Sequence, residues 1–377
     1  MAGPGAFPGV DFPAPAVAAT NLNSTPTLAI EAGREAWILQ AELSGSRTRV
    51  EGDAKVVAGI LHGDRSGLEA FLQHKIRVSG SLALALQLET LFGNGRHPQR
   101  YARSSRVSAA GIDTFYLECG SGSPVILLHG LGATNASMLT SLWALSRHHR
   151  VIAPDLPGHG ETGKPAARYD AAYFGRWLLS FISKLGLDRP HLVGNSLGGR
   201  IALEVAIAAP DRVDRVALLA AAPVVHKLRQ LVPVVRMLRP EMAVVPLPLG
   251  EKQTLSILRS LFAEPSRMPL AWFEAAAAEF SRVWRLPGAR IAFFSALREI
   301  YLEEPHGESG YWRRLATMKN PALLLWGEKD PLVPLAHARA VSQALPHATS
   351  LVLENCGHVP QYELPDLTNR LLTRFLT

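Results

Sequence analysis

Cysteine is nearly missing: Cys119 and Cys356 are the two in 377 residues. That excludes a disulfide framework, and no Cys-x-x-Cys or His-x-x-x-His spacing occurs to hold a metal. No cofactor or metal is therefore expected. No apolar run reaches the about 20 residues that a membrane-spanning helix needs. The start lacks the basic residues and long apolar core of a secretory signal, which points to a soluble, cytoplasmic protein. Lys and Arg exceed Asp and Glu by 39 to 32, a net charge of +7. Yet aromatics are only 7% of the chain and no basic run is interleaved with them, so nucleic acid is not an expected partner. A weakly anionic surface, such as a membrane touched from the side, suits scattered arginines better.

What the chain does have is a strand, a sharp turn and a helix with a serine at the turn. His191-Leu192-Val193 is an apolar strand signal, Gly194-Asn195-Ser196-Leu197-Gly198 follows, and Gly199 to Ala206 reads as a helix. Glycines at 194 and 198 leave room for a strained turn that lifts Ser196 above a sheet. A serine hydroxyl is a weak nucleophile at neutral pH and needs an imidazole to take its proton, with a carboxylate to orient that imidazole. Both follow downstream. Pro321 to Gly327 reads as a buried strand, and Glu328-Lys329-Asp330-Pro331 as the turn after it. Ser350-Leu351-Val352-Leu353 reads as a second short buried strand, and Asn355-Cys356-Gly357-His358 as a loop presenting a histidine. His358 is the expected base; Asp330 and Glu328 compete as the acid. Cys356, two residues earlier, is read as a small buried hydrophobe within reach of thiol reagents rather than as a catalyst.

The order Ser196, acid, His358 resembles that of the α/β-hydrolase family, and the run from Gly327 to Val333-Pro334 is similar to that family's acid loop, which selects Asp330. The resemblance covers roughly Gly111 to Thr377. It implies an α/β fold with a mostly parallel sheet and a helical lid. Pro124 to Leu128 leads into His129-Gly130-Leu131-Gly132, where the family places an oxyanion donor, so the backbone N–H groups of Leu131 and Leu197 are the implied oxyanion hole. His129 supports that loop, and Asp155 and His159 in Asp155-Leu156-Pro157-Gly158-His159-Gly160 brace another. Asn195, the 155–160 loop and Gly357-His358 resemble the carbon–carbon bond hydrolases of meta-cleavage pathways. Those usually carry Trp after the histidine, where this chain has Val359.

The lid is expected at about 223–319, between the strand at Val216–Leu219 and the acid strand. It is helical and oily, with Leu255 to Phe262, Trp272-Phe273 and Phe293-Phe294, which suggests a small hydrophobic ester or acyl substrate. Arg229, Arg236, Arg239, Arg259 and Arg267 are interspersed, as solvated surface or facing anionic lipid.

Residues 1–25, rich in Ala, Pro and Gly, read as a loose arm. From 26 to 94 alternating strands at Leu28, Ala36–Leu43 and Thr48–Glu51 precede helices at Ala54–Leu61 and Gly67–Gln73, then a strand from Arg77 that turns into an apolar helix. This succession, with Lys75, Val78 and Gly80, resembles the later part of a sterol-carrier-type (SCP2-like) lipid-binding domain, and the resemblance implies a lipid as a further ligand. Residues 95–108 read as a linker, and 109–377 as the hydrolase domain. The sequence thus predicts a serine hydrolase of hydrophobic carboxylic esters or thioesters. Carbon–carbon hydrolysis and lipid transfer by an inert hydrolase domain are the alternatives. Oligomeric state stays open.

Overall fold

Apolar runs bounded by glycine and proline place the central strands. The computed structural model describes residues 27–32, 36–43, 46–61, 64–80, 102–222, 232–237, 239–245 and 249–377, with side chains from Thr48 onward. The expected arm at 1–25, the expected helix after Gly80, the first half of the expected linker and the first residues of the expected lid lie outside them.

The N-terminal unit comprises β1 (Thr27–Ala32), β2 (Ala36–Leu43), β3 (Ser46–Asp53), α1 (Ala54–Leu61), α2 (Gly67–Leu72) and β4 (Ile76–Gly80). The four strands form their own antiparallel sheet in the order 1-2-3-4. The Asp53 carboxylate accepts the Lys55 and Val56 N–H groups to start α1, and Ser66 caps α2 through the Glu69 N–H.

A second sheet carries the rest. Its strands are β5 (Arg103–Ala109), β6 (Ile112–Cys119), β7 (Ser123–Leu128), β8 (His149–Pro154), β9 (His191–Asn195), β10 (Val216–Leu219), β11 (Ala322–Gly327) and β12 (Thr349–Leu353). They lie in the order 12-11-10-9-7-8-6-5, parallel from β12 to β8, with β6 antiparallel to both its neighbours. This is the mostly parallel α/β sheet that the sequence predicts. Strands buried on both faces read as unbroken apolar runs, and β7, β9, β10 and β11 are buried at nearly every position.

Two expectations need correction. β12, expected to be a buried strand, is an edge strand with Leu351 36% and Val352 48% exposed. Its apolar text meets a partner, β11, on one side only. Residues 95–108 are not linker throughout, because Arg103–Ala109 pairs along its whole length with Ile112–Cys119. A hydrophilic edge strand has no apolar signal to betray it.

The helices around this sheet are α3 (Leu139–Leu145), α4 (Ala171–Lys184), α5 (Leu197–Ala208), the lid helices α6 (Val232–Met237), α7 (Glu251–Ser260), α8 (Leu270–Trp284), α9 (Pro287–Leu302) and α10 (Tyr311–Leu315), then α11 (Leu335–Ala344), α12 (Pro360–Glu363) and α13 (Pro365–Leu376). Among the described residues no helix is long and apolar enough to cross a membrane. In α4 the Asp170 carboxylate accepts the Tyr173 N–H, and Phe174, Trp177, Leu178, Phe181 and Ile182 recur at helical spacing, all fully buried. Trp177 stacks on Phe181 and its indole N–H donates to Thr114 Oγ1 at 3.0 Å.

Replacing Trp177 by Ala empties that site and removes the N–H that Thr114 Oγ1 accepts, leaving its hydroxyl only the bond it donates to Ile112 O. A loss of about 3–5 kcal/mol is expected, measured as a fall in the urea-unfolding midpoint with an unchanged m-value.

Candidate active site

The chain leaves β9 and enters α5 through Ser196, whose φ of 53° and ψ of −115° lie in a region non-glycine residues avoid. Holding a serine there costs on the order of 1–3 kcal/mol, and packing enforces it. The Ser196 N–H donates to Leu219 O at 3.0 Å, and Ser196 O accepts the N–H groups of Arg200 and Ala222. A Cβ on Gly194 would sit 2.4 Å from the Gly198 carbonyl carbon, and one on Gly198 would sit 2.1 Å from Leu128 O. Only glycine fits at either place.

Asp330 and His358 meet at the neighbouring loops. His358 Nδ1 lies 2.8 Å from Asp330 Oδ2 with both residues buried, while Asp330 Oδ1 accepts the N–H groups of Leu332 and Val333. An acceptor so placed assigns the proton to Nδ1 and leaves Nε2 as the basic nitrogen. Glu328 is exposed, and its carboxylate accepts the Asn355 N–H instead. The Asn195 side-chain amide donates to His358 O at 3.1 Å and to Leu219 O at 2.9 Å, fastening the histidine loop to the residue before Ser196.

The oxyanion-loop candidates lie beside the serine. A Cβ on Gly130 would be 3.3 Å from Ser196 Cβ, and Leu131 is next in the chain. Among the described residues neither Leu131 nor Leu197 gives its backbone N–H to a protein acceptor. Above them, Gly132 at φ 73° abuts the lid rings of Phe293 and Phe280. Phe280 stacks on Trp284, which meets Phe293 edge-on, and Phe293 meets Phe294 in the same way.

Two braces hold these loops. His129 accepts the Leu156 N–H at Nε2 and faces Gly130 O with Nδ1, so its neutral ring joins the oxyanion loop to the loop after β8. Burial holds its imidazole down to about 3. Beside it, burial pushes the Asp155 carboxyl up to about 7, although it accepts the Asn135 and Glu161 N–H groups. These are the structural roles expected for His129 and Asp155.

The second brace is Glu363, which sequence reasoning missed. Its carboxylate accepts the N–H of Gly357 and of Glu264 in the lid, both at 2.7 Å, and lies 3.5 Å from Arg267. His358 N–H donates to Leu261 O, again in the lid. The histidine loop and lid are therefore one hydrogen-bonded body. Nothing in a run such as Pro360-Gln361-Tyr362-Glu363 marks which polar residue turns inward. Burial pushes the Cys356 thiol up to about 12, so the sulfur is packed as a neutral hydrophobe. One turn beyond Ser196, buried Arg200 pairs with Glu204 at 3.1 Å and with Glu303 at the end of α9, under the Tyr311 ring.

Glu363→Ala leaves the buried Gly357 N–H unpaired, at about 1–3 kcal/mol, and frees the more exposed Glu264 N–H to solvent. A matching loss of stability and faster hydrogen exchange at Gly357 and His358 are expected. Folded Asp155 keeps its proton up to about pH 7, whereas an unfolded aspartate releases it near pH 4. Between those values the folded state binds more protons, so the contribution of Asp155 to stability is lost as pH rises. The stability difference between wild type and Asp155→Asn should therefore drift against wild type from about pH 4 to about pH 7 and then level, as read from denaturant midpoints.

Residues 123–365 match the alpha/beta hydrolase fold family. A 2-hydroxy-6-oxo-2,4-heptadienoate hydrolase of Pseudomonas putida is 31% identical over 277 residues, covering 72% of this chain and 95% of that protein. A dihydrolipoyllysine-residue acetyltransferase component of an acetoin cleaving system, also from Pseudomonas putida, is 32% identical over 256 residues, 68% of this chain; the match spans 64% of that protein's length. Among solved structures, a bacterial membrane phospholipase A is 25% identical with a TM-score of 0.62 over 85% of this chain and 94% of its own. A meta-cleavage product hydrolase from Pseudomonas fluorescens is 27% identical with a TM-score of 0.60, over 72% of this chain and 96% of its own. The chain belongs to the α/β-hydrolase family.

Proposed function

We propose that Ser196, His358 and Asp330 act as a catalytic triad that hydrolyses a carboxylic ester or thioester with a hydrophobic acyl group. The observation that carries this reading is the buried 2.8 Å Asp330–His358 pair, fastened through Asn195 to the strained turn at Ser196. Ser196 Oγ attacks the acyl carbonyl as His358 Nε2 takes its proton. The N–H groups of Leu131 and Leu197 stabilise the tetrahedral oxyanion, an effect of about 2.7–4 kcal/mol for one such donor. His358 returns the proton to the leaving oxygen or sulfur, and a water activated by the same imidazole then releases the acid and frees Ser196. The lid rings beside Gly132 supply an apolar wall for the acyl group. The N-terminal unit would hold lipid, as the resemblance of its sequence to sterol-carrier-type domains implies.

A second reading, carbon–carbon bond hydrolysis of a dioxo acid, is favoured by the 31% identity to the heptadienoate hydrolase. It requires a cation for the substrate carboxylate. Arg298 is engaged by Glu299 and the carbonyl of Arg236, and Arg290 donates to four backbone carbonyls of the lid; Arg229 lies outside the described residues. These commitments favour the ester.

Wild type should hydrolyse 4-nitrophenyl esters, faster with longer acyl chains, and react with a fluorophosphonate. Ser196→Ala should lose labelling and lower kcat by roughly four to six orders of magnitude. Labelling at Ser196 without ester turnover, together with cleavage of a dioxo acid, would transfer the assignment to the second reading. Absence of labelling would refute both.

A further inference from the structure

A cleft of about 880 Å3 opens between α3, α13, the end of α2 and the start of lid helix α8, and it contains none of Ser196, Asp330 or His358. Its two long walls run in the same direction. Thr140 Oγ1 donates to Gln361 O, Tyr362 Oη donates to Ala136 O at 2.5 Å, and Ser141 Oγ donates to Asn369 Oδ1, so both helices begin beside the histidine loop at the C-terminal edge of the sheet. Both finish at the opposite edge: Arg147 lies two residues before β8, and Phe375 O accepts from Arg215, which adjoins the start of β10.

Side-chain chemistry follows this axis. At the upper end, the Trp272 and Tyr362 rings pack 4.4 Å apart, with Met268 beside them. Trp143 on α3 and Leu367 and Leu371 on α13 continue an apolar wall. About 6 Å beyond Trp143, in the turn that follows α3, stands Arg147, and Arg370 and Arg374 occupy successive turns of α13. His74 and His148 add basic edges, against the single acid Asp366. Among the described residues no carboxylate pairs with Arg147, Arg370 or Arg374, all three of which are exposed.

We propose that this cleft binds a single-chain anionic amphiphile of the fatty-acid class, with its chain along the Trp143–Leu371 wall and its carboxylate between Arg147 and Arg374. The apolar wall gains by losing contact with water. The arginines select the head group, since a guanidinium fork matches a carboxylate. The site is distinct from the catalytic one and does not depend on the reaction proposed for Ser196.

The full chain carrying Ser196→Ala, so that no ester chemistry intrudes, would be titrated calorimetrically with monomeric dodecanoate, 1-dodecanol and butyrate. The expected result is one dodecanoate per chain, with dodecanol at least roughly tenfold weaker and butyrate silent. Arg147→Glu/Arg374→Glu should weaken dodecanoate by roughly tenfold or more and leave dodecanol unchanged, while Leu367→Asp should weaken both. These three positions are exposed, and equal melting temperatures would confirm that the variants fold. Equal affinity for dodecanoate and dodecanol, dodecanoate binding indifferent to both variants, or binding only to phosphatidylglycerol vesicles would each overturn the proposal.

Discussion

Backbone crowding at Ser196 is the constraint on which the rest of the site depends. The serine is held at positive φ because Gly194, Gly198 and Leu128 pack so closely that no other path is open to the chain. The strain is offset by the sheet beneath, where the Ser196 N–H is paired to β10 and Asn195 is buried. Because that sheet is rigid and buried, the turn presents the hydroxyl at a fixed point. Every loop around it is then placed by reference to the turn: the oxyanion loop by contact at Gly130, and the histidine loop by the Asn195 amide.

The lid is built into this scheme rather than laid over it. Leu261 O takes the His358 N–H, and Glu363 takes one N–H from the histidine loop and one from the lid. A displacement of the segment 261–267 would strip hydrogen bonds from the backbone that carries the imidazole. Arg200 does the same on the other side, tying the helix after Ser196 to the end of α9 through Glu303. Buried charges of this kind are kept only when fully paired, and here the pairing spans the sheet domain and the lid.

Much of this was legible in the text of the chain. Pro124–Leu128, His191–Asn195 and Ala322–Gly327 are short apolar runs that begin at or just after a proline, and all three are central strands. Ser196 is legible from that pattern, whereas the choice of Asp330 over Glu328 and the role of the loop at His129 rest on the family resemblance. β5 was illegible because an edge strand can be hydrophilic on both faces, and β12 was misread because Ser350 to Leu353 is apolar in text yet lacks a second neighbour. The role of Glu363 depends on a lid backbone about 100 residues earlier, at Glu264, a relation that no local pattern encodes. The resemblance of the Gly327–Pro334 run favours Asp330 over Glu328, and Asp330 is the carboxylate that turns inward to His358.

The two margins of the large sheet are unequally defended. β5 carries Arg103 and Arg106, and Arg106 is paired to Asp113 on the adjacent strand, so charge guards that side. β12 has no acid or base among its five residues and exposes Leu351 and Val352. Among the described strands nothing pairs with its outer rim, which leaves a row of backbone donors and acceptors ready to template a foreign strand. Brevity is its main protection. Lengthening this segment, or appending an apolar tail where it would lie alongside, would turn this edge into a seed for ordered aggregation.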